Sequence, residues 1–253
     1  MDLPGVTSFR AARHRDDLAL RPGERYVAGG TWLFSQPQPG VTGLVDLTPL
    51  GWMPWETVPG RLRIAATCTV AEALAAPWGA ATAVARQCAE SLLMSFKIQG
   101  LATVGGNLCL ALPAGAMTSL TASLGGEVVV WTPDGGERRE PVTSFVRGPG
   151  ETSLAPGEVL RAVDVRLPAA PPVFRRTSLA PLGRSSAVVI GAGDRITLTA
   201  STARPVVIDA ADPDAGLAAV DCWYDDPHGP PDWRAAVTAR LAREVAAELG
   251  RAA

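Results

Sequence analysis

Histidine is nearly missing from this 253-residue chain, which carries only His14 and His228, so a histidine metal site or a histidine acid–base pair is not expected. Four cysteines, Cys68, Cys88, Cys109 and Cys222, lie far apart and never as C-x-x-C. That spacing excludes a metal knuckle and a self-contained iron–sulfur motif, and it reads as buried reduced thiols. No apolar run reaches the length of a membrane span, and Met1-Asp2-Leu3-Pro4-Gly5-Val6 lacks the basic and apolar regions of a secretory signal. A cytoplasmic protein is the expectation. The formal net charge is -2, so no overall basic field draws the chain to nucleic acid, and an anion site has to be local. Neither G-x-x-x-x-G-K-[ST] nor G-x-G-x-x-G occurs, and no nucleophile elbow is found, which leaves triphosphatase, Rossmann and hydrolase readings without an anchor.

What is present is a 47% hydrophobic composition, enough for a sizeable core in two compact units, and two glycine pairs. Tyr26-Val27-Ala28-Gly29-Gly30-Thr31-Trp32-Leu33 and Thr103-Val104-Gly105-Gly106-Asn107 each read as a short apolar strand that ends at two glycines and a small polar residue. Backbone N–H groups unshielded by side chains suit a phosphate, and glycine permits both close approach and positive φ. One such pair is an ordinary turn. Two of them suggest a pyrophosphate gripped between loops that the fold brings together.

Around these pairs the chain alternates strands and helices. Residues 6–20 read as a strand followed by a helical stretch, and Arg25 to Ala28 and Gly43 to Leu47 as strands of a small α/β layer. Leu62 to Thr69 is a strand running into Thr69, a cap for a helix over Val70 to Ala76, with a second, alanine-rich helix over Ala80 to Met94. A helix over Met117 to Leu124 precedes the strand Glu127 to Trp131 and the turn Thr132 to Glu137. Glu158 to Leu167 alternates like a half-buried antiparallel strand. Pro168-Ala169-Ala170-Pro171-Pro172 is the linker candidate. Beyond it come short strands at Ala187 to Ile190, Arg195 to Ala200 and Val206 to Ile208, then a helix from Asp232 to Leu249 stopped by Gly250. Trp52, Trp55 and Trp78 sit in loops bearing proline and glycine and read as plugs on the core.

These residues resemble a known family. Val27-Ala28-Gly29-Gly30-Thr31 with Ala102-Thr103-Val104-Gly105-Gly106-Asn107-Leu108 is similar to the paired flavin-binding signature of the FAD-binding (medium) subunit of molybdenum hydroxylases, the group of the carbon monoxide dehydrogenase medium chain and the xanthine dehydrogenase FAD subunit. Leu62 to Thr69, Phe145-Val146-Arg147-Gly148, Thr152 to Leu160, Arg166-Leu167-Pro168 and the Trp233-Arg234 helix are similar to later parts of the family, in order.

The resemblance implies an α+β fold: a two-lobed FAD-binding domain of the vanillyl-alcohol-oxidase (PCMH) type over residues 1–168, with lobes at about 1–55 and 56–168, then a small α+β domain over 172–253. It implies FAD as cofactor, contacted by Ala28, Gly29, Gly30, Thr31, Trp32, Thr103, Gly105, Gly106 and Asn107, mainly through backbone N–H groups at the pyrophosphate, with Leu160 and Arg175 near the flavin ring. It implies no catalytic side chain in this chain. The implied partners are a molybdopterin-containing large subunit and a small subunit with two [2Fe–2S] clusters, the flavin passing their electrons to a terminal acceptor.

Three segments depart from the family pattern. Where the family places two aspartates this chain reads Ala111-Leu112-Pro113-Ala114-Gly115-Ala116; Arg184-Ser185-Ser186 carries serines in place of an aromatic or acidic residue; and Gly148-Pro149-Gly150-Glu151 lacks a Tyr-Arg pair. Two alternatives therefore stay open at this stage: an assembly module of the same fold with weakened FAD binding, and a free-standing flavin oxidase.

Overall fold

A computed structural model describes residues 3–252. Its first layer is a parallel three-stranded sheet in the order β1-β3-β2, built from β1 (Ser8–Ala11), β2 (Glu24–Val27) and β3 (Gly43–Asp46). The central strand is buried because both neighbours and the loops cover it, as a parallel sheet requires. Its edges are tied by Arg10 on β1, which donates to both carboxylate oxygens of Glu24 on β2, at 3.0 and 2.7 Å, and to the Ala19 carbonyl at 2.7 Å. The helical stretch expected after β1 is a single 3-10 turn, Arg15–Leu18.

Hydrogen bonding from the Arg10 guanidinium, and next from the Arg21 N–H, pulls the Glu24 carboxyl from its ordinary 4.5 down to about 2. A depressed carboxyl adds stability that is fully present above the unfolded value and is lost as pH falls through the folded one. Acid unfolding of the wild type should therefore deepen between pH 4.5 and about 2, and Glu24→Gln should flatten the curve in that window, as read by urea midpoints against pH. An unchanged profile would rule out Glu24 as the source.

The second layer is a five-stranded antiparallel sheet, β4 (Trp55–Val58), β5 (Arg61–Ala65), β6 (Glu127–Trp131), β7 (Glu137–Pro141) and β10 (Val159–Val165), ordered β4-β5-β10-β6-β7. A minor ribbon pairs β8 (Val146–Gly148) with β9 (Glu151–Thr152). Strand β10 lies between two partners and is buried on both faces, so the half-buried alternation read from its sequence does not hold. Asp164, 1% exposed, is the reason a polar residue is tolerated there: it accepts from Arg63 at 2.7 and 2.8 Å and from Arg139 at 2.7 Å.

Helices cover one face of this sheet. They are α1 (Val70–Leu74), α2 (Thr82–Ser91), α3 (Phe96–Gln99), α4 (Val104–Leu110), α5 (Ala116–Ser123) and α6 (Val142–Phe145). Thr69 caps α1 as its sequence predicts, accepting from the Glu72 N–H while Glu72 accepts from the Thr69 N–H, a reciprocal capping box. Trp78 is fully buried with its indole N–H on the Ala73 carbonyl at 2.6 Å, and Trp52 meets Trp131 edge-on at 5.3 Å. Both plug the core as the sequence suggests.

From Val173 the chain forms a third sheet, antiparallel in the order β11-β12-β13-β14: β11 (Val173–Thr177), β12 (Ala187–Ala192), β13 (Arg195–Thr199) and β14 (Val206–Asp209). Short α7 (Pro213–Ala218) and long α8 (Pro231–Ala252) follow. Val188 and Ile190 of β12 face α2 and α5, while Val189 joins Leu241, Ala242 and Val245 of α8 on the other side. Helix α8 runs through Gly250 rather than stopping there.

Candidate cofactor site

The first glycine pair is a loop as expected. It follows β2, and Gly30 adopts φ +65°, the left-handed region that glycine enters without strain. Among the described residues, the N–H groups of Ala28, Gly29, Gly30, Thr31 and Trp32 donate to no acceptor within the chain. Four of these residues are half-buried, and Trp32 is 37% exposed. Five successive free donors on a half-sheltered turn form an anion cradle.

The second glycine pair differs from its sequence reading. Gly105 and Gly106 lie in the first turn of α4 rather than after a strand. Thr103 caps this helix, its Oγ1 accepting from the Gly106 N–H at 3.1 Å. The N–H groups of Val104 and Gly105 donate to the Cys68 and Ala66 carbonyls, both at 2.8 Å, and that of Asn107 to the Thr103 carbonyl at 2.9 Å. These donors are committed inside the chain. Glycine is needed at 105 for packing, since a Cβ there would stand 2.5 Å from the Ala66 Cβ and 2.7 Å from its carbonyl oxygen.

Tertiary packing brings the two pairs together. A Cβ on Gly29 would fall 1.8 Å from the Leu101 carbonyl oxygen, so loop and helix entry touch through bare backbone. The segment Ala102 to Val104 is in turn held from behind, the Val70 N–H donating to the Ala102 carbonyl at 2.8 Å and Thr69 bridging Thr103. Asn107 is buried and its Oδ1 accepts from the Met117 N–H at 2.8 Å, fastening α4 to α5. Its amide nitrogen has no acceptor among the described residues.

Electrostatics at this meeting point favour an anion. Residues 91–126 contain no Asp or Glu and one cation, Lys97, and residues 26–35 contain no carboxylate. A pyrophosphate on the cradle therefore meets no like charge from either segment. The donor set and its surroundings fit the phosphates of a dinucleotide such as FAD.

Leu160 and Arg175 are not presented at these loops. Leu160 is 4% exposed and packed in the helix-side core. Arg175 sits on the α8 side of its sheet, paired with Glu248 and lying 3.9 Å from Glu244. Leu101, whose carbonyl meets Gly29, was not singled out by sequence, because that contact leaves no local motif. A separate cavity of about 420 Å³ opens beside Arg15, Trp131 and Asp134, and none of the predicted site residues lines it.

The two positions where carboxylates were expected are unlike each other. Leu112 is half-buried and lines a cavity of about 40 Å³ with Arg184, Tyr224 and Arg234, whereas Ala116 is fully buried. Leu112→Asp should change stability by less than about 1 kcal/mol, since the position is half-buried and Arg184 lines the same cavity. Ala116→Asp should cost about 3 kcal/mol by burying an unpaired charge. Urea denaturation of the two variants checks the contrast, and equal losses would refute it.

Residues 10–170, well over half of the chain, match the family model described as the FAD binding domain in molybdopterin dehydrogenase. No curated protein sequence gives a match. Among solved structures, quinoline 2-oxidoreductase from Pseudomonas putida 86 is similar with a TM-score of 0.83 and 23% identity over 100% of this chain and 99% of that one. Carbon monoxide dehydrogenase from Hydrogenophaga pseudoflava is similar with a TM-score of 0.80 and 18% identity over 97% of both chains. The reconstituted CO dehydrogenase from Oligotropha carboxidovorans gives 0.78 and 20% over 94% of this chain and 95% of that one. At such identities these likenesses show a common fold. With the family model covering the second sheet, its helices, most of the first sheet and both glycine pairs, the chain belongs to the family of FAD-binding domains of molybdopterin dehydrogenases, whose cofactor is FAD.

Proposed function

We propose that this chain is the flavin subunit of a molybdenum hydroxylase-type oxidoreductase. The observation that carries the reading is the row of five free N–H groups from Ala28 to Trp32, backed by Leu101 at the entry to α4. Those groups hold the pyrophosphate, Thr103 and Gly105 shape the wall behind it, Gly106 leaves the wall open for lack of a side chain, and the free amide of Asn107 offers a further donor. When bound, FAD supplies the redox chemistry, taking electrons from the [2Fe–2S] clusters of a partner subunit and passing them to a terminal acceptor. The protein's side chains bind and orient; no acid, base or nucleophile of this chain is required.

In this reading residues 1–168 form the two-lobed PCMH-type unit, with lobes at about 1–55 and 56–168, and residues 172–253 form the C-terminal domain. Support comes from the end of β10 at Val165 and the start of a new sheet at Val173. The partners are a molybdopterin-containing large subunit and a [2Fe–2S] small subunit, and the compartment is the cytoplasm. No helix among the described residues is long and apolar enough to cross a membrane.

The test is a visible spectrum of the purified chain before and after incubation with FAD. A chain that stays colourless sinks the proposal. Leu112 and Ala116 favour one second reading, an assembly module with weakened FAD binding; it wins if the chain co-purifies with iron–sulfur and molybdenum subunits in a complex that holds no flavin.

A further inference from the structure

The cavity of about 420 Å³ beside Arg15 lies where the layer of the first sheet meets the second. One wall is the 3-10 turn after β1, and the other is the turn joining β6 to β7 together with the start of β10. Leu18 and Val159, 6% and 3% exposed, line it from the apolar cluster that ties the two layers together, and Trp131 adds an indole. A cavity of this size, apolar inside with a few polar groups and set at the junction of two layers, has the form of a small-molecule site.

The polar groups around it are unequally engaged. The Arg15 guanidinium lies 4.6 Å from the centre of the Trp131 ring and donates to the Thr132 carbonyl at 3.3 Å and to that of Gly136. Asp134 spends one oxygen on the Thr132 hydroxyl and the Gly136 N–H, and its second oxygen is free among the described residues. Asp16 accepts from nothing among the described residues, whereas Asp17 beside it turns its carboxylate back to the Arg13 and His14 N–H groups at 2.8 and 2.9 Å. Two carboxylates against one guanidinium leave the lining with one net negative charge.

The geometry points to a binding site for a small organic cation, an ammonium group on an apolar or aromatic body. The body lies against Leu18, Val159 and Trp131, and the ammonium meets Asp16 and Asp134. An ammonium carries three donors, and the two carboxylates keep three unspent oxygens between them. An anionic ligand would face both aspartates while Arg15 is already held by carbonyls and the ring. A bare metal ion is not served either, since no group of three His, Cys, Asp or Glu among the described residues could hold one. The site is independent of the flavin reading, because neither glycine pair lines the cavity.

Tryptamine is the probe, titrated calorimetrically into the full chain with and without FAD. The expected result is one saturable site with a Kd below about 1 mM, the same in both states. Indole-3-propionate, a similar indole with the opposite charge, should bind about tenfold more weakly or worse. Asp16→Asn with Asp134→Asn should weaken tryptamine about tenfold, and Ala19→Trp, which puts a ring into the cavity from its rim, should abolish binding. All three positions are exposed, so the variants should melt with the wild type. No saturable heat overturns the site, as does equal affinity for the propionate, full affinity in the double variant or in Ala19→Trp, or competition by FAD, which would put the probe in the cradle. A chain that stays colourless with FAD yet binds tryptamine keeps this site and sinks the flavin reading.

Discussion

Gly29→Ala should leave a folded protein that has lost most of its affinity for FAD. The added Cβ would stand 1.8 Å from the Leu101 carbonyl oxygen and 2.8 Å from its carbon. That carbonyl is backbone, and its surroundings are fixed: Leu101 and Ala102 both donate to the Ile98 carbonyl, at 3.1 and 2.7 Å, and Ala102 accepts from Val70. The loop has to give way instead, because its own N–H groups are unbonded and its backbone is tied only through the Gly30 and Trp32 carbonyls, which accept from the neighbouring Phe34 and Ser35 N–H groups. Such overpacking costs about 3 kcal/mol, which converts to a loss of roughly a hundredfold in affinity. FAD titration followed by flavin fluorescence reads the loss, and melting of the FAD-free protein should move little. Gly105→Ala gives the complementary result, a clear drop in melting temperature, since it disturbs the buried contact of α4 with Ala66. If Gly29→Ala binds FAD as tightly as the wild type, the cradle has been assigned to the wrong loop.

Arg234→Met should lower the unfolding free energy by about 4 kcal/mol. Arg234 is 1% exposed at the start of α8, and its guanidinium is satisfied almost entirely by backbone. Nε donates to the Gly229 carbonyl and Nη1 to the Ser186 carbonyl, both at 2.7 Å; Nη1 also reaches the Ala200 carbonyl, and Nη2 pairs with Asp226. Methionine fills the volume but leaves these buried acceptors without donors. Because the Ala200 N–H donates to the Pro113 carbonyl at 2.7 Å, the damage reaches the turn that follows α4. Lysine at 234 should rescue little, since a point charge cannot span the fork of acceptors. Urea denaturation measures the loss, and a variant within 1 kcal/mol of wild type would show that Arg234 is dispensable to the fold.

Local chemistry was readable wherever a residue acts on its immediate neighbours. Thr69 announces the start of α1 and Thr132 to Glu137 the turn between β6 and β7, and the structure has both. The strands β12, β13 and β14 and the start of α8 were legible for the same reason. The misses share a cause of their own. Strands β4 and β11 are made by pairing with the next strand along, Trp55 with Ile64 and Val173 with Gly191, and carry little alternation of their own. Gly250 has stop chemistry, but α8 continues through it at a modest conformational cost of about 1 kcal/mol.

The sequence by itself determined that two glycine pairs stand in a chain of a recognisable order, that carboxylates are absent after the second, and that no histidine or cysteine cluster competes as a site. Only the tertiary structure decided that the pairs are unequal. Free N–H groups cannot be counted along a sequence, because a donor is free or committed according to which carbonyl lies opposite. The carbonyls of Ala66 and Cys68, nearly forty residues away, occupy the donors of Gly105 and Val104, while no acceptor among the described residues occupies those of Ala28 to Trp32. The clamp expected of two alike loops is thus one open cradle and one closed helix entry pressed against it through Leu101.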